Sequence, residues 1–386
     1  MNWKVAVAGV VVFGGLACRD ATQPEQPASA AKSNPVPGEY IVVFRPAVTN
    51  PAALAAQLVR VQGGTLRFTY TSALKGFAAK LPAAAAAALA HNPNVAYVEP
   101  DQVYGIDVTQ SMDGNGDPWG LDRVDQQPLP LSRTYSYTAT GAGVHAYIID
   151  TGIWDLHPDF GGRANNVYDA FGATGTDCHG HGTHVAGTIG GTTYGLAKGV
   201  SLHGVRVLSC AGLGLTSQII AGIDWVRQNA IKPAVANMSL GGGLSTALND
   251  ATTNLWNSGV FVAVAAGNDN VDACTASPAS ATGAFTAAAS EKTDAKASYS
   301  NWGNCVEAYA PGSAIVSDFL GGTTMSLSGT SMASPHFAGV AVLYKATFGD
   351  QPSATVSNWI VNNATNGAIS GNPGGTPNKL LYKSTL

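Results

Sequence analysis

Long apolar runs that alternate with helical segments constrain the fold of this 386-residue chain more than any other feature. From residue 119 onward the runs are "VHAYIID", "GVRVLS", "AVANMSL" and "GVFVAVAAGN", and between them lie "HGTHVAGTIG", "TSQIIAGIDWVRQNA" and "STALNDATTNLWNSG". Strands that are apolar on both faces are typical of a parallel sheet covered by helices on both sides. We therefore predict an α/β domain, and the composition, 45% apolar and 11% charged, supplies ample material for its core.

A different pattern precedes this domain. Residues 38–104 follow the order strand, helix, strand, strand, helix, strand, which predicts a small α+β module of the ferredoxin-like type. The stretch "YGIDVTQSMDGNGD" (104–117) follows it and has the Gly-rich, polar composition of a linker. We therefore expect three parts, which are residues 1–30, 31–108 and 109–386.

The first 30 residues have the features of an export signal. Lys4 precedes an apolar run at residues 5–17 that is too short to cross a membrane comfortably. Cleavage after Ala30, in "ASA", would release a secreted protein, which is the outcome we expect. The alternative is cleavage before Cys18 in "GLAC", which would leave a lipid anchor on that cysteine.

Charge and cysteine content narrow the function further. The net charge is −4 and no basic block is present, so we expect no nucleic-acid partner. Apart from Cys18, four cysteines remain, an even number that suits disulfides in an oxidising compartment. They are Cys178, Cys210, Cys274 and Cys305, and from the sequence alone three pairings are open.

Three histidines in "DCHGHGTHVAGT" (177–188) fit two chemistries. Read together, His179, His181 and His184 resemble part of a zinc site, but Thr183 stands where binuclear zinc hydrolases place an aspartate. Alternatively, one histidine acts alone. In the chain it comes after Asp150, which ends an apolar strand, and before Ser331, which starts a helix. The order Asp, His, Ser is one of the known triad arrangements. We favour the triad.

Six short sequence blocks support this interpretation, because they resemble the conserved segments of a known protein family. "YIIDTGI", "HGTHVAGTIGG" and "GTSMASPH" resemble the three signature blocks of the subtilases, and "GVRVLSCAG", "ANMSLGGG" and "AAGN" resemble the proteinase K branch, close to aqualysin-type enzymes. The resemblance covers about residues 117–386. It implies a parallel seven-stranded sheet between helices. The module at 38–104 is similar to the family's propeptide, an intramolecular chaperone and inhibitor.

The resemblance also assigns catalytic roles. It implies that Ser331 is the nucleophile, that His181 is the general base and then the acid, and that Asp150 orients the imidazole. Asn268 matches the side-chain donor of the oxyanion hole, and the backbone N–H of Ser331 is the second donor. His179 is then a structural or surface residue, as is His184.

Substrate binding is expected to use backbone more than side chains. "AGLGL" (211–215) matches the family's edge segment and "SLGGG" (239–243) its partner, so a peptide between them would add a strand. Segments 239–242 and 265–268 would wall an uncharged specificity pocket that prefers apolar and aromatic side chains. The expected binding residues are Gly212, Leu213, Gly214, Ser239, Leu240, Gly241, Gly242, Ala265, Ala266 and Gly267.

The resemblance implies two disulfides and a structural calcium ion. The disulfides are Cys178–Cys210 and Cys274–Cys305, at positions bridged in close relatives. "DRVDQ" retains Asp122, Asp125 and Gln126 of a calcium site found in some relatives, whereas Ser132 and Thr134 replace its further ligands. Glu307 stands where the family has an aspartate ligand.

The resulting hypothesis is a secreted, monomeric serine endopeptidase made as a self-processing zymogen. It would hydrolyse protein and peptide substrates after apolar or aromatic residues, and its own propeptide would inhibit it. Maturation is expected between Tyr104 and about Met112, after an apolar residue. Two other classes stay open: a non-catalytic binding protein with this fold, and a zinc hydrolase, which inhibition by a serine-directed phosphonate would exclude.

Overall fold

The computed structural model describes residues 35–106, 109–110 and 118–386. The expected signal segment, Cys18 and most of the linker around Met112 lie outside the described residues. Among the described helices, none combines the length and the apolar character that crossing a membrane requires.

The N-terminal module has the predicted βαββαβ order. It contains β1 (Pro35–Phe44), α1 (Pro51–Val61), β2 (Thr65–Tyr70), β3 (Gly76–Lys80), α2 (Ala83–Ala90) and β4 (Val95–Gly105). The strands form an antiparallel sheet in the order β2-β3-β1-β4. Alternation along β1 gives the sheet two apolar faces, since Val42 and Phe44 pack under the module's own helices while Ile41 and Val43 join a core shared with the larger domain.

The larger domain is built on a nine-stranded sheet. In spatial order its strands are β18 (Thr365–Asn366), β19 (Lys379–Leu380), β15 (Ala308–Pro311), β14 (Phe285–Ser290), β12 (Phe261–Ala265), β10 (Ala234–Met238), β6 (His145–Asp150), β8 (Ser201–Arg206) and β7 (Ala164–Asp169). The seven strands from β15 to β7 are all parallel, as predicted. The two-residue strands β18 and β19 extend this sheet at one edge.

Helices cover both faces of the sheet, as the apolar strands predict. They are α3 (Trp119–Asp125), α4 (His181–Gly190), α5 (Thr216–Asn229), α6 (Thr246–Asn257), α7 (Thr330–Phe348) and α8 (Ser353–Asn363). Helices α4, α7 and α8 pack in one apolar core and α5 and α6 in another. The two faces of β6 show this division, since Ile148 belongs to the first core and Ile149 to the second.

Six further short strands lie outside this sheet in the described residues, and one of them pairs with the N-terminal module. They are β5 (Thr109–Gln110), β9 (Leu213–Leu215), β11 (Gly242–Gly243), β13 (Ala276–Ser277), β16 (Ile315–Phe319) and β17 (Thr323–Ser328). Strand β9 pairs with β4 of the N-terminal module, and β5 pairs with β17. In α/β proteins, ligands bind at the carboxyl ends of the parallel strands, so the functional site is expected at this edge of the sheet.

Candidate active site

Asp150 and His181 form a buried pair at this edge. Asp150 is the last residue of β6 and His181 the first of α4, and neither side chain is exposed to solvent. The Nδ1 atom of His181 lies 2.7 Å from Oδ1 of Asp150, which also accepts the N–H of Thr151 at 2.7 Å. A carboxylate at Nδ1 fixes the tautomer in which Nε2 carries the lone pair. The imidazole is therefore held as a proton acceptor.

Two glycines allow His181 to reach this position. Gly180 ends the preceding loop with φ 101°, and a Cβ there would lie 2.3 Å from the ring of Phe319. A Cβ on Gly182 would lie 2.1 Å from the carbonyl oxygen of Gly152. The glycines that flank His181 in the motif are thus required by close packing.

Asp177 holds the start of α4. Its Oδ1 accepts the N–H groups of His179 and Gly180, each at 2.9 Å, and its Oδ2 accepts the N–H of Thr183 at 3.0 Å. The Thr183 N–H lies in the first turn of α4, where N–H groups have no partner within the helix, and the other two N–H groups belong to the loop that leads into it. Asp177 was not among the residues predicted from the sequence, although an aspartate shortly before a helix start is a capping signal.

Ser331 stands at the second residue of α7 and is 2% exposed. Its hydroxyl donates to the carbonyl oxygen of Ser239 at 3.2 Å, and Nε2 of His181 has no hydrogen-bond partner among the described residues. The structure therefore contains the contact between aspartate and histidine, but it turns the serine hydroxyl toward Ser239.

A polar network fixes the backbone around Ser331. The Ser239 hydroxyl donates to the carbonyl of Ser331 at 2.7 Å and accepts from Nδ2 of Asn237 at 2.8 Å. The other end of the Asn237 amide accepts the hydroxyl of Ser334 at 2.7 Å. Neither Asn237, in the apolar strand β10, nor Ser334, in helix α7, was predicted to be a functional residue. Nothing in the local sequence of either residue indicates that the two side chains are hydrogen-bonded to each other.

Hydrogen bonds with Thr330 fix the orientation of the Asn268 carboxamide next to Ser331. Its Oδ1 accepts the N–H of Thr330 at 2.8 Å and the Thr330 hydroxyl at 3.0 Å. The same hydroxyl accepts the N–H of Gly267 at 3.0 Å. With the oxygen held in this way, the amide is fixed one residue from Ser331, whose own N–H lies in the first turn of a helix.

A cavity of about 400 Å³ opens next to Ser331. The segments predicted to form the specificity pocket, 239–242 and 265–268, contribute Leu240, Gly241, Gly242, Ala265, Ala266, Gly267 and Asn268 to its lining. Among the described residues that line it, Asp269 is the one charged side chain, and it is exposed. The cavity is thus apolar inside with a carboxylate at its mouth, a feature that the sequence analysis did not include.

The chain's own N-terminal module occupies the predicted peptide-binding groove. Tyr104 and Gly105 of β4 pair antiparallel with Gly214 and Leu213 of β9. On the other side, Gly105 exchanges two backbone hydrogen bonds of 3.2 Å with Gly241. A peptide strand therefore lies between segments 211–215 and 239–243, in the arrangement predicted for a substrate.

Side chains of this strand fit against glycines. The ring of Tyr104 is fully buried and would lie 2.7 Å from a Cβ at Gly242. Ile106 donates its N–H to the carbonyl of Gly212 at 3.3 Å, and a Cβ at Gly212 would lie 2.8 Å from the Ile106 side chain. Both glycines leave space for the side chains of a bound peptide.

The other two histidines of the motif differ in their relation to His181: the ring of His179 meets that of His181 edge-on, with centroids 6.3 Å apart, whereas the Nε2 atom of His184 contacts other strands. His184 is fully buried, its Nε2 donates to the carbonyls of Ile315 and Met325, and burial lowers its pKa to about 3. Its ring therefore faces β16 and β17. His179 is half-buried beside the groove, and burial, followed by repulsion from His181, lowers its pKa.

Two disulfides brace the loops around the site. Cys178 is bonded to Cys210 and Cys274 to Cys305, with Cα atoms 5.0 and 5.3 Å apart. This is the pairing that the family resemblance implies. The first disulfide joins the segment before His181 to the segment before β9.

The expected calcium ligands at α3 face hydrogen-bond donors. Asp122 accepts the N–H of Arg133 at 2.6 Å and the Ser132 hydroxyl at 2.9 Å, and Oε1 of Gln126 accepts the Ser132 N–H at 2.9 Å. These oxygens thus accept hydrogen bonds from the segment that follows α3. Their role as calcium ligands stays a prediction.

The remaining expected ligands, Asp125 and Glu307, also have hydrogen-bond partners in this structure. Asp125 accepts the N–H of Ser136 at 2.7 Å, and Nζ of Lys383 lies 3.5 Å from it. Glu307 accepts the N–H of Thr286, and burial raises the pKa of Glu307 to about 7. In the described part of the chain, no three His, Cys, Asp or Glu side chains group as a metal site.

Comparisons with known proteins agree with this geometry. A model of the Subtilase family matches residues 141–379, and a model of peptidase inhibitor I9 matches residues 39–107. The chain is 45% identical to an extracellular serine proteinase of Thermus sp. (strain Rt41A) over 97% of this chain and 98% of that protein. It is 40% identical to proteinase R of Parengyodontium album over 93% and 92% of the two chains.

A solved structure shows the same fold. The crystal structure of a cold adapted subtilisin-like serine proteinase aligns with a TM-score of 0.69 and 49% identity, and covers 70% of this chain and 100% of that one. The Subtilase model spans more than half of the chain. The fold and the buried Asp150–His181 pair agree with this match. The chain therefore belongs to the subtilase family of serine proteases.

Proposed function

We propose that the chain is an endopeptidase in which Ser331 attacks the peptide carbonyl. The observation that carries this is the buried 2.7 Å contact between His181 and Asp150, beside a serine at a helix N-terminus and at the end of an occupied peptide groove. For catalysis the Ser331 hydroxyl turns from the Ser239 carbonyl to Nε2 of His181. A serine hydroxyl is a weak nucleophile until such a base takes its proton.

The two halves of the reaction use the same imidazole. Nε2 of His181 takes the proton from Ser331 as the carbon–oxygen bond forms, and then gives it to the leaving nitrogen as the peptide bond breaks. Water repeats the sequence on the acyl-enzyme. Asp150 holds the ring and stabilises its charged form, and it needs no proton of its own.

The negative charge on the carbonyl oxygen needs donors that are already in place. The amide nitrogen of Asn268 and the N–H of Ser331 supply them, because Thr330 anchors the Asn268 oxygen and the Ser239 network anchors the backbone at Ser331. Fixed donors in a water-poor site stabilise the transition state without reorganising.

Specificity follows from the groove and the cavity. Backbone pairing with Gly241 and β9 reads any extended peptide, so sequence preference is concentrated in the cavity beside Ser331. Its lining is apolar, and we propose that it prefers apolar and aromatic residues before the scissile bond. Asp269 is exposed to solvent, where its charge is screened, so it does not reverse this preference.

Maturation is the second part of the proposal. The strand 103–105 already lies in the groove, and we infer that the enzyme cuts its own chain shortly after it, separating residues 31–108 from 109–386. The freed module then stays bound as an inhibitor. Residues 1–30 direct export as a secreted monomer, with a lipid anchor at Cys18 as the alternative. Subtilases commonly bind structural calcium, and this chain is expected to do so.

The decisive experiment compares the parent chain with Ser331→Ala. We expect the variant to lose peptide hydrolysis and to accumulate as an uncut precursor. Ser326→Ala, which removes a neighbouring hydroxyl from β17, is the control and should mature normally. A phosphonate reagent should add its mass to Ser331 alone. Normal processing by the Ser331 variant would refute both catalysis and self-cleavage.

Preference is tested separately with matched peptides. Substrates that differ only in the residue before the scissile bond should give kcat/KM values at least about tenfold higher for phenylalanine or leucine than for lysine or glutamate, since one buried apolar side chain contributes on the order of 2 kcal/mol. Equal values would reject the cavity as the specificity site while leaving the catalytic proposal intact.

A further inference from the structure

Two histidines that take no part in the proposed hydrolysis lie together at the amino-terminal ends of the parallel strands. His145 is the first residue of β6, whose last residue is Asp150, and His203 is the third residue of β8. In the parallel register Tyr147 lies beside His203, so His145, two residues before Tyr147, is a diagonal neighbour of His203 on the same face of the sheet. The two imidazole rings are nearly parallel, with centroids 5.1 Å apart.

Hydrogen bonds define which nitrogen of each ring carries the proton. Nδ1 of His203 lies 2.7 Å from Oδ1 of Asn165 in β7, and because this oxygen can only accept, Nδ1 is the donor. Nε2 of His203 therefore carries a lone pair and accepts the Nδ1–H of His145 at 2.8 Å. Histidine ligands commonly donate one ring N–H to an oxygen, which orients the ring and directs the other nitrogen at a metal. His203 has this arrangement.

The separation of the two facing nitrogens matches that of adjacent ligands around a metal ion. Imidazole nitrogens bind first-row metals at about 2.0–2.1 Å, so two of them at right angles are about 2.9 Å apart. The observed separation of Nδ1 of His145 from Nε2 of His203 is 2.8 Å. A tetrahedral ion, such as zinc, would need about 3.3 Å. The pair therefore suits the square-planar or tetragonal geometry of copper(II).

Binding requires the His145 ring to swing aside, because its Nδ1–H now occupies the lone pair of His203. The ion would take the place of that proton, and His145 would bind it from an adjacent position and carry its own proton on Nε2. The ring is able to turn, since its bond to His203 is the one side-chain hydrogen bond of His145 among the described residues, and χ2 of histidine has broad preferences. Both rings are partly exposed and Asn165 is exposed, so water can complete the coordination.

The surroundings keep both rings in the form that binds metals. Burial lowers the pKa of His145, and burial, followed by repulsion from His145, lowers the pKa of His203 to about 4. At neutral pH protons therefore do not compete with a metal for these nitrogens. The ring of Tyr147 stacks on His203 with centroids 4.9 Å apart and, together with Asn165, holds it in place.

We propose that His145 and His203 bind a copper(II) ion through one nitrogen each, with water in the remaining positions. Imidazole suits copper, and copper(II) binds most tightly in the series of divalent first-row metals. A site with two protein ligands is compatible with the finding that no three His, Cys, Asp or Glu side chains group within the described ranges. The ion would cross-link β6 to β8 at the end of the sheet remote from His181, and it would stabilise the folded state by mass action.

The test uses the full, tag-free chain carrying Ser331→Ala, which prevents self-digestion. Copper(II) chloride is titrated by calorimetry, and electron paramagnetic resonance of the bound ion counts its nitrogen ligands. We expect one tightly bound copper per chain with two nitrogen ligands, and a rise in Tm of at least about 3 °C at a hundredfold excess over Kd. His145→Gln and His203→Gln should each weaken the site at least about tenfold, and so should Asn165→Ala, which removes the acceptor that orients His203.

Two other histidines provide matched controls. His179→Gln, beside the groove, and His91→Gln, on the exposed surface of the N-terminal module, should leave copper affinity as it is. Loss of the tight site in either control would overturn the proposal, because it would place the ion elsewhere. Equal affinity in the parent and in the His145 and His203 variants would also overturn it. Asn165→Ala keeps both ligands and so tests the site where a histidine variant fails to fold, and an affinity within twofold of the parent would count against the proposal. Copper binding is measured without reference to proteolysis, so these results do not depend on the proposed function.

Discussion

At the scale of single residues, the two oxygens of the Asp150 carboxylate differ in their hydrogen bonding. Oδ1 binds both His181 and the Thr151 N–H, while Oδ2 is buried without a partner among the described residues. The carboxylate is thus placed to stabilise the imidazolium that forms on His181 during the reaction. Its contribution is therefore expected in the transition state more than in substrate binding.

Replacing Asp150 by asparagine should lower kcat by about 10⁴ with little change in KM, because the amide can favour the wrong imidazole tautomer. Asp155→Asn, a change of the same kind on an adjacent loop, should leave kcat within about twofold of the parent, because substitutions away from special features have small effects. Steady-state kinetics on a short peptide measure both variants. A loss below tenfold for Asp150→Asn would contradict the assigned role.

At the scale of elements, the N-terminal module caps two helices of the larger domain. Oδ1 of Asp101 accepts the N–H of Ser217 in the first turn of α5, at 3.0 Å. Glu99 accepts the N–H of Ala247 at the start of α6, at 3.3 Å, and the hydroxyl of Ser245. Helix N-termini attract negative charge, so the module binds through the helices as well as through β9.

The Asp101 contact predicts how mutation changes inhibition. Asp101→Asn in a separately prepared module of residues 31–108 should raise its inhibition constant for the mature enzyme roughly tenfold, since a helix cap contributes about 1–2 kcal/mol. Glu39→Gln, which removes the same charge from a residue paired with Arg67 inside the module, is the control. Equal constants for the two variants would show that the capping contact adds nothing to binding.

These elements also show which features can be predicted from sequence. The parallel strands, the glycines around His181 and the groove segments are signalled within a few residues, because each depends on local periodicity or on a local close approach. The Ser239–Ser331 contact spans 92 residues, and Asp318 meets Asp159 only after folding. The residues next to Asp318 in the sequence do not indicate which side chain it will contact. The hydrogen bonds of Asp122 are likewise absent from the local pattern, since their donors, Ser132 and Arg133, lie 10 and 11 residues later in the chain.

At the scale of the whole molecule, buried titratable groups make stability depend on pH. Burial lowers the pKa of His184 to about 3 and those of His203 and His336 to about 4. Between those values and about 6.5, the unfolded chain binds protons that the folded chain does not, so these histidines reduce stability as pH falls. The raised pKa values of Glu307 and Asp318 act in the opposite direction.

A variant isolates one of these contributions. With Ser331→Ala as the parent, His336→Gln should lose its stability deficit relative to the parent as pH falls from 6.5 to 4.5, by at most about 1.4 kcal/mol per pH unit. Denaturant unfolding at several pH values measures the difference. A gap that does not change with pH would mean that His336 is protonated alike in the folded and unfolded chains.

The strand pairing between β4 and β9 has a consequence for the lifetime of the enzyme. In the described structure, β9 has three residues and pairs only with the module that the proposed maturation would remove. The carboxylates that cap α5 and α6 would leave with it. A mature molecule that unfolds would have to rebuild this edge without its template. Unfolding would then be effectively irreversible, and durability would depend on the height of the unfolding barrier rather than on an equilibrium. For a protease among its own copies that barrier matters doubly, because each unfolded chain is a substrate.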